Sequence, residues 1–123
     1  MHEITVLSSI LRVAVEVAKE KNAKKIITLK IRIGEMTHLN KEQILGCWEF
    51  LREGEELTSE AALEFEDEKA YIYCPLCGWE GEPEFIQLSP DKAVPTLRCS
   101  KCGSSAIPKS GEDCTLTDIV IEV

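Results

Sequence analysis

The chain has 123 residues, enough for one domain or for a domain with a small module, and a second lobe under about 50 residues would need a staple. With 14 basic against 22 acidic residues, a net charge of −8, it is poorly matched to a phosphate backbone, where Lys and Arg must displace counterions. No run approaches the 18 apolar residues of a membrane span, and the early apolar stretch lacks the basic start of a secretory signal. The expected compartment is therefore the reducing cytoplasm.

Residues 4–21 place Leu7, Ile10, Leu11, Ala14, Val17 and Ala18 at steps of three and four, which predicts a helix with one face for a core. Asn22 is a suitable stop, since Asn tolerates the left-handed backbone that ends helices. In "KKIITLKIRIG", Ile27, Leu29, Ile31 and Ile33 alternate with Thr28, Lys30 and Arg32, the pattern of a half-buried strand with a basic outer face. A second helix follows in "MTHLNKEQILGCWEFLREG". Asn40 can cap it and Gln43, three residues later, resembles the other half of a capping box. Ile44, Leu45, Cys47, Trp48 and Leu51 supply its apolar side.

"AALEFEDEKAYIY" alternates again, with Leu63 and Phe65 inward and Glu64, Glu66 and Glu68 outward. That acidic face could lie beside the basic face of residues 28–32. Between Glu49 and Glu68, nine acidic residues face only Arg52, which makes either a solvated surface or a dock for a basic partner. "CTLTDIVIEV" closes the chain as a strand with Ile119, Ile121 and Val123 on one face. If it returns to the earlier sheet, the fold is α+β, a small mixed β-sheet with two helices carrying an inserted lobe. The first domain is then 1–70, completed by 114–123 as last strand, and the insertion is 71–113.

That insertion contains "CPLCG" at 74–78 and "CSKCG" at 99–103. Two thiolates at i and i+3 around a tight turn can share one cation, and the Gly after each pair permits the left-handed turn. Cys74, Cys77, Cys99 and Cys102 would complete a tetrahedron suited to structural Zn(II), with no open position for a substrate. An iron site or two disulfides are the alternatives, the latter disfavoured in a reducing compartment. The lobe has few bulky hydrophobes, so metal binding would be its main source of stability. Cys47 fits the apolar face of the second helix as core rather than ligand, and Cys114, which opens the last strand, is a spare ligand.

The start, "MHE", is a frayed end or a site. The α-amine, the amide nitrogen of His2 and its imidazole can close two fused chelate rings on one metal. Deprotonated amides favour planar Ni(II) or Cu(II) over Zn(II). The amide or carboxylate of Glu3 could fill the fourth corner.

Taken together, "MHE" leading into the first helix, "KIRIGEMTHLNKEQILGCWEFL" and "CPLCG…CSKCG" before a closing strand resemble the HypA/HybF family over essentially the whole chain. These are nickel-insertion accessory proteins of [NiFe]-hydrogenase maturation. The resemblance implies a nickel metallochaperone, not an enzyme, with His2 as principal ligand for transiently held Ni(II) and the Met1 amine and Glu3 beside it. It implies structural zinc on the four cysteines of a zinc-ribbon lobe. The implied partners are the GTPase HypB and the hydrogenase large subunit, with no nucleic acid and no membrane, and a homodimer left open. The chain has no Gly-x-x-x-x-Gly-Lys-Ser/Thr loop, so GTP hydrolysis would belong to a partner. His38, ahead of the second helix, is a loop residue or, with Glu35, an auxiliary nickel ligand. The rival is a zinc-ribbon module binding nucleic acid or protein, although Glu80, Glu82 and Glu84 make this lobe less basic than such ribbons usually are. An enzyme is the third class, and two histidines with a closed four-thiolate site give it little to work with.

Overall fold

The computed structural model of the chain describes residues 2–90 and 92–123, the side chain of His2 excepted. The chain divides into two compact units: residues up to Arg32 with Leu39–Glu66 and Cys114–Val123, and Ile33–His38 with Asp67–Asp113.

In the first unit, helix α1 (His2–Glu20) presents Leu7, Ile10, Leu11, Ala14 and Ala18 to the core, and Val17 is half-buried at its margin. It ends as its sequence predicts. Asn22 takes a left-handed φ of 57°, and the Ala23 N–H reaches back to the Ala18 carbonyl at 2.9 Å. Strand β1 (Lys25–Gly34) buries Ile26, Leu29, Ile31 and Ile33, but Ile27, expected inward, is 42% exposed. The three-residue step from Ile26 to Leu29 breaks the alternation, so the outward face changes phase there.

Helix α2 (Lys41–Leu51) crosses from β1 to strand β2 (Ala62–Glu68), with single-turn 3-10 helices at Arg52–Gly54 and Glu56–Thr58 between them. It buries only Ile44 and Trp48; Cys47 and Leu51 are half-buried, and Leu45, expected inward, is exposed. The buried Thr58 hydroxyl donates to the Arg52 carbonyl at 2.9 Å, so the polar group in this turn is satisfied.

The three-stranded sheet has the order β2-β1-β8, with β8 at Cys114–Glu122. Bonds from the Lys24 N–H to the Glu122 carbonyl and from the Gly34 N–H to the Asp113 carbonyl align β8 antiparallel to β1. Contacts Arg32 to Glu66 and Glu35 to Glu68 advance together along the chain, so β2 runs parallel to β1, as a helical crossover requires. The sheet is mixed, and the closing strand does return to it. On β8, Ile119 and Ile121 are half-buried, while Val123, expected on the same face, is 73% exposed at the strand's free end.

In the second unit, β3 (Tyr71–Tyr73) lies between β4 (Glu80–Gly81) and β7 (Ile107–Ser110), antiparallel to both. A separate hairpin pairs β5 (Phe85–Ser89) with β6 (Lys92–Pro95). The larger aliphatic side chains buried here are Ile33 and Ile72, and the others, Ala70, Ala106, Cys74 and Cys99, are small. Ile86 and Leu88 of the hairpin stay exposed, so the unit has little core beyond its cysteines.

The segment 33–38 is bonded into this unit at three points. The Glu35 N–H donates to the Glu68 carbonyl, the Met36 N–H donates to the Gly111 carbonyl, and the Glu35 carboxylate accepts the Ala70 N–H at 3.0 Å. The Glu68 carboxylate in turn accepts the Gly111 N–H at 2.8 Å. Gly34 is required here because a Cβ would collide with the carbonyl of Gly111.

Candidate metal centre

The two cysteine knuckles of the second unit are built alike. In the first, the Gly78 N–H donates to the Cys74 carbonyl at 2.9 Å and the Cys74 N–H to the Trp79 carbonyl at 2.8 Å. In the second, Gly103 bonds to Cys99 at 3.0 Å and Cys99 to Ser104 at 2.8 Å. Each glycine has a positive φ, 79° at Gly78 and 77° at Gly103, which a side chain would strain. The sequence pattern Cys-x-x-Cys-Gly thus encodes one turn used twice.

The turns bring together Cys74, Cys77, Cys99 and Cys102, whose sulfurs all lie within 4.8 Å of one another. The shortest pairs join opposite knuckles, Cys74 to Cys102 at 3.6 Å and Cys77 to Cys99 at 3.5 Å. All four are free thiols, so no disulfide occupies the site. Tetrahedral zinc with Zn–S bonds of about 2.3 Å holds its sulfurs about 3.8 Å apart, close to these separations. The first cysteine of each knuckle is buried and the second is exposed.

The cluster also stabilises thiolate unevenly. The Ser104 hydroxyl and N–H hold the Cys102 thiol down to about 6. At Cys77 the Trp79 N–H acts in the same direction, but the Cys99 sulfur, lost hydration and the other two sulfurs outweigh it and push the thiol to about 11. The N–H groups of Lys101 and Cys102 both point at Cys99 Sγ at 3.3 Å. Four thiolates in so small a volume repel, and a dication relieves that repulsion. The donor set, spacing and N–H···S bonds fit a closed four-thiolate metal site. Cys47 and Cys114 lie elsewhere, half-buried in the first unit, and burial pushes the Cys114 thiol up.

Of the residues expected at the N-terminal site, Met1 and the His2 side chain lie outside the described residues. Glu3 is described. It sits in the first turn of α1, only 8% exposed, and Oε2 accepts the N–H of Asn40 at 3.1 Å. The Asn40 N–H, followed by the residue's own N–H, holds this carboxyl down to about 2. Residues 2 and 3 open a helix, where main-chain N–H groups have no carbonyl of a preceding turn to bond. Glu35 and His38 belong to the second unit. Glu35 receives the Ala70 N–H, and His38 is exposed at a left-handed φ of 60°.

Sequence reasoning did not find the Glu3–Asn40 bond. The signal for it was present: an acidic residue in the first turn of one helix and a capping residue at the start of the next.

Comparison with known proteins gives a consistent picture. A family model described as "Hydrogenase/urease nickel incorporation, metallochaperone, hypA" matches residues 1–121. A protein of Methanopyrus kandleri called hydrogenase maturation factor HypA is 36% identical, with 100% of this chain and 94% of that protein covered. Its Archaeoglobus fulgidus namesake is 34% identical with both covered in full. The solution structure of the nickel metallochaperone HypA from Helicobacter pylori superposes with a TM-score of 0.71 at 27% identity, covering 98% of this chain and 97% of that one.

Proposed function

The chain belongs to the HypA family of nickel-incorporation metallochaperones, and from that premise we propose that it binds Ni(II) at residues 1–3 and hands it on during [NiFe]-hydrogenase maturation. A metallochaperone carries metal rather than turning over a substrate, so the chain is not an enzyme. The observation that carries the proposal is the extent of the family match, residues 1–121, which takes in the terminal Met1-His2-Glu3 as well as the four cysteines.

In this proposal the α-amine of Met1, the main-chain nitrogen of His2 and its imidazole form two fused chelate rings, with Glu3 supplying the fourth donor. Such a set suits planar Ni(II). A terminal site can release its ligands one at a time, so the metal passes to an acceptor by stepwise exchange rather than by opening a cage. The four-thiolate site has the opposite character. With every position filled by sulfur, it would hold Zn(II) as a scaffold for a unit with little core of its own.

The partners proposed are the GTPase HypB and the hydrogenase large subunit, with self-association to a homodimer as a further state, all in the cytoplasm. Among the described residues no helix is long and apolar enough to cross a membrane. Glu35 and His38 remain auxiliary candidates for nickel, and a His38→Ala variant with unchanged affinity and spectrum would remove that role.

The decisive experiment is Ni(II) titration of untagged protein, wild type against His2→Ala, followed by its electronic spectrum. Loss of tight nickel binding with zinc content intact is expected. Retained affinity in His2→Ala would refute the site.

A further inference from the structure

The sheet of the first unit has two outer strands, β2 and β8, and among the described residues neither pairs with a further strand. Each presents a row of main-chain N–H and C=O groups that another strand can bond. The two edges differ in charge. In β2, Glu64, Glu66, Asp67 and Glu68 are acidic, and Glu60 stands just ahead of them. In a chain of net charge −8, two copies of that edge repel. The longer β8 carries only Asp118 and Glu122, and no proline breaks it. From Thr117 to Glu122 its residues alternate between half-buried and exposed, with Ile119 and Ile121 half-buried and Val120 exposed. Leu29 and Ile31 of the central strand β1, by contrast, are fully covered. The β8 side chains lack the cross-strand neighbour that would cover their outer flank.

We propose that β8 is the self-association surface of this chain, pairing antiparallel with β8 of a second copy about a two-fold axis at Ile119. Two three-stranded sheets then join into one of six strands. This gives a location to the homodimer already proposed, on which it rests, and holds wherever nickel binds. Charge selects the register. An axis at Asp118 would set that carboxylate against its own copy, and an axis at Val120 would set Asp118 against Glu122 twice. An axis at Thr117 would carry Ile121 and Glu122 past the start of the other strand, against Asp113 and Glu112. With the axis at Ile119, Asp118 faces Val120 of the other copy, Thr117 faces Ile121, and Ile119 faces itself. The β-branched residues then meet on the half-buried face and no two carboxylates are directly opposed. One strand pair falls short of the roughly 1,600 Å² of a standard interface, so the dimer is expected to be weak, with a Kd of about 10–100 μM.

The test is sedimentation equilibrium of the untagged full-length chain, with zinc retained and thiols kept reduced, from about 1 to 500 μM. The variants are Val120→Lys, Val120→Glu, Glu64→Lys and His2→Ala. Because residue 120 is exposed, either substitution should leave the monomer folded, which thermal melts check. In the dimer it faces Asp118 of the other copy at two symmetry-related places. Val120→Lys should therefore tighten the dimer about fivefold, and Val120→Glu should weaken it by about the same factor. Glu64→Lys changes the net charge by more, but on the other edge, and should stay within about twofold of wild type. As a second measurement, amide hydrogen exchange along β8, and not along β2, should slow as wild-type concentration rises.

A wild-type chain that stays monomeric over the whole range would overturn the inference and leave this edge to a strand of another protein. So would a dimer that Val120→Lys and Val120→Glu change equally, because residue 120 would then not face Asp118. A dimer lost in Glu64→Lys, or slowed exchange along β2, would place the contact on the acidic edge instead and overturn it too. His2→Ala should sediment as wild type does while losing tight nickel binding, so a failed nickel site and a failed interface are separate results.

Discussion

Arg32 Nε meets Glu66 Oε2 at 3.2 Å across the neighbouring strands β1 and β2, with 41% of each side chain exposed. The basic outer face of one strand lies against the acidic outer face of the other, as their alternating patterns suggest. Exposure limits what the pair is worth. Arg32→Ala should lower stability by about 0.5 kcal/mol, and the loss should shrink in high salt. Denaturant unfolding at two ionic strengths measures both.

Glu3 makes a stronger demand on pH. Its carboxyl is held at about 2 against an ordinary value of 4.5, so the folded state favours the ionised form. The stabilisation is complete above the unfolded value and is lost as pH falls through the folded one. Wild type should therefore be more stable than Glu3→Gln by a constant margin above about pH 5, a margin that closes toward pH 2. Parallel thermal melts across that range would show it; a margin that persists at pH 2 would mean the carboxylate contributes nothing through its charge.

Gly34→Ala places a Cβ into the Gly111 carbonyl, backbone against backbone, with no flexible side chain to give way. A loss of about 2 kcal/mol or more is expected. Gly46→Ala, where a Cβ meets nothing within 4 Å, is the control and should be neutral or slightly stabilising because it lies in α2.

Removing the metal should affect the two units differently. Chelation at neutral pH should disorder the second unit, seen as changed Trp79 fluorescence, while the Leu7, Ile44 and Trp48 core keeps the helical circular dichroism. About one zinc per chain is the expected content of purified protein, and iron in its place would refute the zinc assignment.

Nickel affinity should fall as pH drops. The imidazole, near about 6.5, and the α-amine, near about 7.7, take up protons that compete with metal. Any tag fused ahead of Met1 should weaken binding even at high pH, since the amine becomes an amide. Isothermal titration of tagged and untagged protein makes the comparison.

What the sequence could convey tracks how local the physics is. The knuckles were legible because four cysteines in two short turns are a local instruction, and the stripe of α1 was legible because five of its six positions are buried. Strand β1 was legible except where its phase slips, and alternation cannot announce the slip that exposes Ile27 in favour of Ile26. In α2 the apolar residues cover more of the helix than the fold uses, so Leu45 and Phe50 stay exposed beside buried Trp48. The capping box was half legible. Asn40 and Gln43 announced it, but its other partner is Glu3, and a bond spanning 37 residues leaves no periodicity to detect.

The paired ends of the insertion carry a consequence for folding. Glu68 and Asp113 bond to Glu35 and Gly34, adjacent residues at one end of β1, so the chain leaves and re-enters side by side. A loop whose ends already meet adds closure entropy only as the logarithm of its length, whatever its own state of order. The intervening segment can thus melt and re-form while the sheet of the first unit stays paired. During synthesis the order is less forgiving: β8 follows the cysteines in the chain, so the third strand cannot dock until the whole metal-binding segment has left the ribosome.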